Sequence, residues 1–205
     1  MLIELHRPGP RSSPAAGQFG YLPMEFWRAE FVAIQYAINV RGVVVVEAAG
    51  NGSQNLDDPL YDPSGGAEPQ RRDSGAIVVG AGAPPNGLYG ADRSRLDFSN
   101  YGTRVDCQGW GRSVVTLGYG DLRSGSPQQQ YTAEFSGTSS ASPIVAAACA
   151  CVQGHARARD RTDVTCATLR DWLRRTGTPQ MDGPNGPAAQ RIGNRPDLRA
   201  LLARV

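Results

Sequence analysis

Apolar positions in this chain follow two spacings, and these divide it into strands and helices. Apolar runs occur at Met1-Leu2-Ile3-Glu4-Leu5, interrupted only by Glu4, and unbroken at Val43-Val44-Val45-Val46 and Ala76-Ile77-Val78-Val79-Gly80-Ala81. Runs of that length without polar alternation predict strands buried on both faces, as in a parallel sheet. Between the first two, Trp27, Phe31, Ile34 and Ile38 recur at steps of four and three. That stripe predicts an amphipathic helix over residues 25–40, ended by Arg41-Gly42. Glu25 and Glu30 near its start suit the helix dipole. Strand, helix, strand is a βαβ unit. Further on, residues 105–111 predict a short strand and turn, and 113–118 another strand. The Ala-rich run Ile144–Val152 predicts a buried helix. Leu169, Trp172 and Leu173 mark a surface helix over 165–175, with Thr165 as its cap, and 197–202 a short last helix. Segments 6–24, 51–74, 123–130 and 176–196 are polar or rich in Pro and Gly and predict loops. The pattern describes one α/β domain over 1–205 with a mostly parallel sheet.

Composition narrows the function classes. The chain has 205 residues, 40% apolar content and a net charge of +2. That is enough for one domain with a real core. No basic block points to nucleic acid, and no apolar stretch reaches membrane-spanning length. The N-terminus lacks the basic region, apolar core and cleavage site of a signal peptide. Either the protein stays inside the cell or the chain is a piece of something longer. The four cysteines, Cys107, Cys149, Cys151 and Cys166, show no zinc spacing. Cys149 and Cys151 point to different sides of one helix; small buried hydrophobes are the expectation, with a disulfide through Cys166 or Cys107 left open.

Candidate chemistry concentrates in Phe135-Ser136-Gly137-Thr138-Ser139-Ser140-Ala141-Ser142-Pro143, which runs straight into the Ala-rich helix. Pro143 predicts the first turn, where a missing N–H costs nothing. A serine at such a start sits beside unpaired backbone N–H groups and the positive end of the dipole, a setting for a nucleophilic hydroxyl and an oxyanion. An isolated serine there would be a helix cap. The whole string Gly-Thr-Ser-Ser-Ala-Ser-Pro, however, resembles the nucleophile motif of the subtilisin-like serine proteases. The resemblance implies that Ser139 is the nucleophile, with Thr138 beside it in substrate binding and Ala141 keeping the helix face small against the sheet. Ala48-Ala49-Gly50-Asn51, after the valine run, is similar to the family's oxyanion segment. It implies that the Asn51 amide donates to the oxyanion, with Gly50 and Gly52 in substrate binding. Phe98-Ser99-Asn100-Tyr101-Gly102 resembles a further family segment, read as a structural turn. Two other motifs fail: a dinucleotide fingerprint from Gly50 would need Gly at Asn55, and a Gly-x-Ser-x-Gly elbow would need Gly at Ala141.

The resemblance covers nearly the whole chain, matches the later two-thirds of a subtilase catalytic domain and implies a three-layer α/β/α arrangement around the sheet. The family's catalytic Asp and His lie on earlier segments, and neither motif occurs here. Of the two histidines, His155 lies 16 residues beyond Ser139, about 24 Å along a helix. His6 follows the first strand as a cleft or surface residue, and Leu5-His6-Arg7-Pro8 departs from the family's Leu-Gly-Gly. The expectation is a serine endopeptidase acting on polypeptide, present as a truncated chain that alone is inactive. Its expected partner is the N-terminal part of the same domain. The rival reading is an inactive pseudo-protease serving as a binding or scaffold module. Family members often bind calcium, but Asp57, Asp58 and Asp62 lack the spacing of a calcium loop, so no cofactor or metal site is expected. The resemblance implies an extracellular location.

Overall fold

The computed structural model describes residues 1–62 and 73–205. The sheet has four strands among the described residues, in spatial order β1 (Leu2–Ile3), β4 (Val46–Ala48), β5 (Ile77–Gly82), β6 (Cys107–Trp110). All three pairings are parallel, with Leu2 opposite Val46, Val46 opposite Ile77 and Val79 opposite Cys107. Parallel neighbours need crossovers, and helix α1 (Arg28–Asn39) supplies the one between β1 and β4.

Alternation along β5 assigns the two faces. Ile77, Val79 and Ala81 pack with Val145, Cys149 and Val152 of α2 (Thr138–Arg157), Leu169 and Leu173 of α3 (Cys166–Arg175), and Leu201 of α4 (Leu198–Leu202). Val78 faces the other way, onto Leu22, Tyr61, Val105 and Ile192. On that same side Ile34 of α1 packs on Val45 and Ala76. Helices thus cover both faces, as the three-layer expectation requires. Two antiparallel pairs complete the described fold: β2 (His6–Pro8) with β3 (Tyr21–Pro23), and β7 (Val114–Leu117) with β8 (Tyr131–Phe135).

Several boundaries differ from the sequence reading, each for a physical reason. The first strand is present but is not buried: Leu2 and Leu5 are exposed, because β1 is the sheet's outer strand. Part of the loop expected over 6–24 pairs as β2 and β3, and residues 131–135, left unassigned by pattern, form β8. The second strand starts at Val46 and runs on through Glu47, whose charge conceals the continuation. Residues 24–26 form a 3-10 turn and α1 begins at Arg28. Glu25 therefore does not serve the dipole. It turns inward to Arg104, Nε to Oε1 2.6 Å, in a buried cluster. There Arg104 also meets Asp106 at 3.0 Å, and Arg170 joins Asp106 at 2.9 Å and Asp73 at 2.7 Å. Glu47, fully buried, accepts the Glu25 N–H at 2.9 Å. Burial, reinforced by the negative charge of Glu25, pushes the Glu47 carboxyl up to about 8.

Helix α2 begins at Thr138, so Pro143 lies in its second turn and not its first. The N–H it lacks is the one that would bond the Ser139 carbonyl. Thr165 caps α3 as expected, accepting the Thr168 N–H at 3.2 Å. All four cysteines are free thiols, so the disulfide left open in the sequence is not formed. Of the long loop expected over 51–74, residues 63–72 lie outside the described residues.

Candidate active site

The carboxyl end of β4 and the amino end of α2 meet at one place, and their residues interlock there. Gly50 and Asn51 follow the strand; Gly137 caps the helix. The Gly50 N–H donates to Thr138 Oγ1 at 3.1 Å. That hydroxyl in turn donates to Asn51 Oδ1 at 2.9 Å, and the Thr138 N–H donates to the same oxygen at 2.8 Å. Two donors on Oδ1 fix the flip of the amide, which leaves Nδ2 as the donor. Thr138 is only 1% exposed. Its role in the structure is to orient Asn51 from beneath.

Gly137 has φ +116°, a backbone region open to glycine. A Cβ placed on it would stand 2.8 Å from Ser139 Oγ, 3.2 Å from Asn51 Nδ2 and 3.5 Å from Ser139 N. Hydroxyl, side-chain amide and backbone N–H therefore converge on one point. Ser139 is half-buried there, in the first turn of α2, where N–H groups have no partner within the helix. Ala141 faces the core, as the sequence suggested, packed among the apolar residues of β5 and α2.

Gly50 and Gly52 lie in the buried layer under this point. A Cβ on Gly52 would come 2.1 Å from the Tyr21 carbonyl oxygen, so only glycine admits the β3 backbone there. Asn100 completes the support: its Nδ2 donates to Ala49 O at 2.7 Å and Tyr21 O at 2.8 Å, and its own N–H bonds Gly50 O at 3.0 Å. The turn read at Phe98–Gly102 is thus the clamp on the Asn51 loop.

Two contacts at the site join residues far apart in the sequence, one of them through His6, read there as a cleft or surface residue. The Asn51 N–H donates to His6 Nδ1 at 3.0 Å, and Asn51 Nδ2 donates to Gln18 Oε1 at 3.0 Å. Both residues come from the β2–β3 segment, read in sequence as a loop. Burial lowers the pKa of His6. His155 lies near the far end of α2, half-buried, with Arg159 on its Nδ1 at 2.8 Å. The carboxylates considered as calcium oxygens have other partners: Asp57 accepts from Thr103 N–H at 2.9 Å, and Asp58 caps Leu60 and pairs with Arg11.

Fold and convergence together define an α/β protein whose site is suited to acyl transfer: a hydroxyl at a helix start, facing fixed N–H donors. The chain belongs to the subtilase family, peptidase S8, whose model matches residues 20–193. It is 33% identical over 128 residues to mycosin-1 of Mycolicibacterium smegmatis, covering 59% of this chain and 28% of that protein. It is 37% identical over 92 residues to mycosin-1 of Mycobacterium tuberculosis, covering 42% and 21%. The chain thus spans about a quarter of the length of these curated relatives. Among solved structures it is similar to the patellamide maturation protease PatA, with a TM-score of 0.61, 21% identity, and coverage of 87% of this chain and 56% of that one. A protease of Pseudoalteromonas arctica gives a TM-score of 0.62, 21% identity, and coverage of 99% and 50%. These likenesses show the same fold.

Proposed function

We propose that this chain carries the nucleophile and oxyanion half of a serine endopeptidase site. The observation that carries the reading is the convergence of Ser139 Oγ, Ser139 N and Asn51 Nδ2 around the missing Cβ of Gly137. In the reaction, Ser139 Oγ attacks a peptide carbonyl and gives its proton to a base. The carbonyl oxygen becomes an oxyanion held by Asn51 Nδ2–H and the Ser139 N–H. The base then passes the proton to the leaving amine. Gly50, Gly52 and Thr138 serve the substrate at one remove, by holding the Asn51 loop in place. The chemistry as drawn needs no metal or cofactor.

Base and orienting carboxylate are proposed to come from the N-terminal part of the same domain, docked along β1. Support for that place is the outer position of β1 and the exposure of Met1, Leu2 and Leu5. The partners are then that part and a polypeptide substrate, with neither nucleic acid nor membrane required; no helix among the described residues is long and apolar enough to cross a membrane. An extracellular location belongs to the same proposal. One observation favours the rival reading of a non-catalytic binding module: the only nearby imidazole, His6, already spends Nδ1 on the Asn51 N–H.

Fluorophosphonate labelling tests the reading, with Ser139→Ala as control and circular dichroism as the folding check. The expected result is labelling that depends on Ser139 once the upstream polypeptide is supplied. A folded protein that stays unlabelled with that polypeptide present leaves the binding module as the reading.

A further inference from the structure

The contact between His6 and Asn51 is not accounted for by the reaction above. The His6 ring lies edge-on to Tyr21, centroids 4.9 Å apart at 68°, and the β2–β3 pairing sets His6 opposite Pro23. So placed, Nδ1 receives the Asn51 N–H. Asn51 is then held at two levels, its peptide by His6 and its carboxamide oxygen by Thr138. The peptide bond before Asn51 follows Gly50 at φ +94°, a joint with no side chain to limit rotation. That peptide has two holds, His6 on its N–H and the Asn100 N–H on its Gly50 oxygen at 3.0 Å, and losing the first leaves the Asn51 backbone with only the second.

We propose that His6 is a positioning residue for Asn51, holding the oxyanion donor in place only while its imidazole is neutral. The catalytic meaning rests on the protease reading; the hold itself does not. An Nδ1 that accepts must carry its proton on Nε2. Protonation turns Nδ1 into a donor facing a donor, and the bond is lost. Tyr21 faces the ring from β3, and Asn51, which is uncharged, faces it from the β4 loop. Along its own segment the charged neighbours are Glu4 and Arg7; Arg7 is engaged by Glu30 at 2.6 Å and lies over Trp27. Burial disfavours the imidazolium, so the hold survives to a lower pH than for a free histidine.

The test follows the Asn51 backbone amide of the 15N-labelled chain by NMR between pH 8 and pH 5. The wild type is expected to show an inflection below the ordinary histidine value of 6.5. His6→Phe keeps a ring against Tyr21 but has no acceptor; at neutral pH its Asn51 amide should exchange about tenfold faster, the size of one hydrogen bond. His6→Asn, whose Oδ1 replaces Nδ1, should restore protection and erase the inflection. Unchanged Asn51 protection in His6→Phe, or an inflection that persists in His6→Asn, overturns the proposal. In protein that labels at Ser139, the base gives an acid limb of its own, and only the additional component set by His6 should disappear in His6→Asn. A wild type that never labels sinks the protease reading alone, since the amide readout is independent of it.

Discussion

The two outer strands of the sheet are treated very differently. β6 is covered: Gln108 N–H donates to Asn194 O at 3.0 Å, Gln108 Nε2 donates to Gly193 O at 2.7 Å, and Cys107 bridges Asn194. β1 presents Leu2 and Leu5 to solvent, Leu5 at 67% exposure. An apolar outer strand is a template for pairing, and proteins blunt it when nothing is meant to bind there. Here it is apolar, and among the described residues no strand pairs with its outer side. The candidate site straddles the difference. Asn51 is gripped from the covered side by Thr138, with Asn100 on the backbone before it, and from the bare side by His6 and Gln18. One half of the site is thus locked by buried bonds, and the other depends on an exposed segment.

Stability should separate the two sides most strongly. Ile77→Ala, in the core beneath α2, is expected to cost about 2–5 kcal/mol in urea unfolding, while Leu5→Ala should stay within about 0.5 kcal/mol. Equal costs would mean that β1 is packed as tightly as β5. At the site, Asn51→Ala should slow acylation of Ser139 by about 10²–10³-fold, the loss typical of one oxyanion donor, measured by the labelling rate.

Glu47 gives a pH-dependent comparison. Folded, it holds its proton up to about 8, against 4.5 for a free carboxyl. Between those values the unfolded chain has lost a proton that the folded chain keeps. Its contribution is therefore complete below pH 4.5 and fades as pH rises toward about 8. Glu47→Gln should flatten that fall and raise stability at pH 8, with little change at pH 4.5, read from thermal melts at several pH values. Water entering β4 from the bare side would abolish the slope in the wild type. The smallest effect is expected at Gln18, which is exposed and occupies Asn51 Nδ2 with a single bond. Gln18→Ala should speed labelling by about two- to threefold, within the net worth of such a bond.

Most of the architecture was legible as pattern. The apolar runs at 43–46 and 76–81 mark the central strands, and the stripe from Trp27 to Ile38 marks α1. Strands failed to show where a charge interrupted them, as at Glu47, or where pairing was short and antiparallel, as at His6–Pro8 and Tyr131–Phe135. Glu25 looked like a dipole residue because sequence position says nothing about a guanidinium brought in from residue 104. The site divides in the same way. Ser139 and Asn51 were recognisable from the strings around them. His6 was read only as a cleft or surface residue and Gln18 not at all, since their partner lies 45 and 33 residues away.

By itself the sequence determined the central strands, the main helices, the family and the two residues proposed to bear the chemistry, because each is written in local spacing or in a short contiguous motif. Only the tertiary structure decided how Asn51 is aimed, which outer strand lacks a covering segment among the described residues and which atom His6 holds. Those depend on hydrogen bonds and burial between segments far apart in the chain, and no local pattern encodes them.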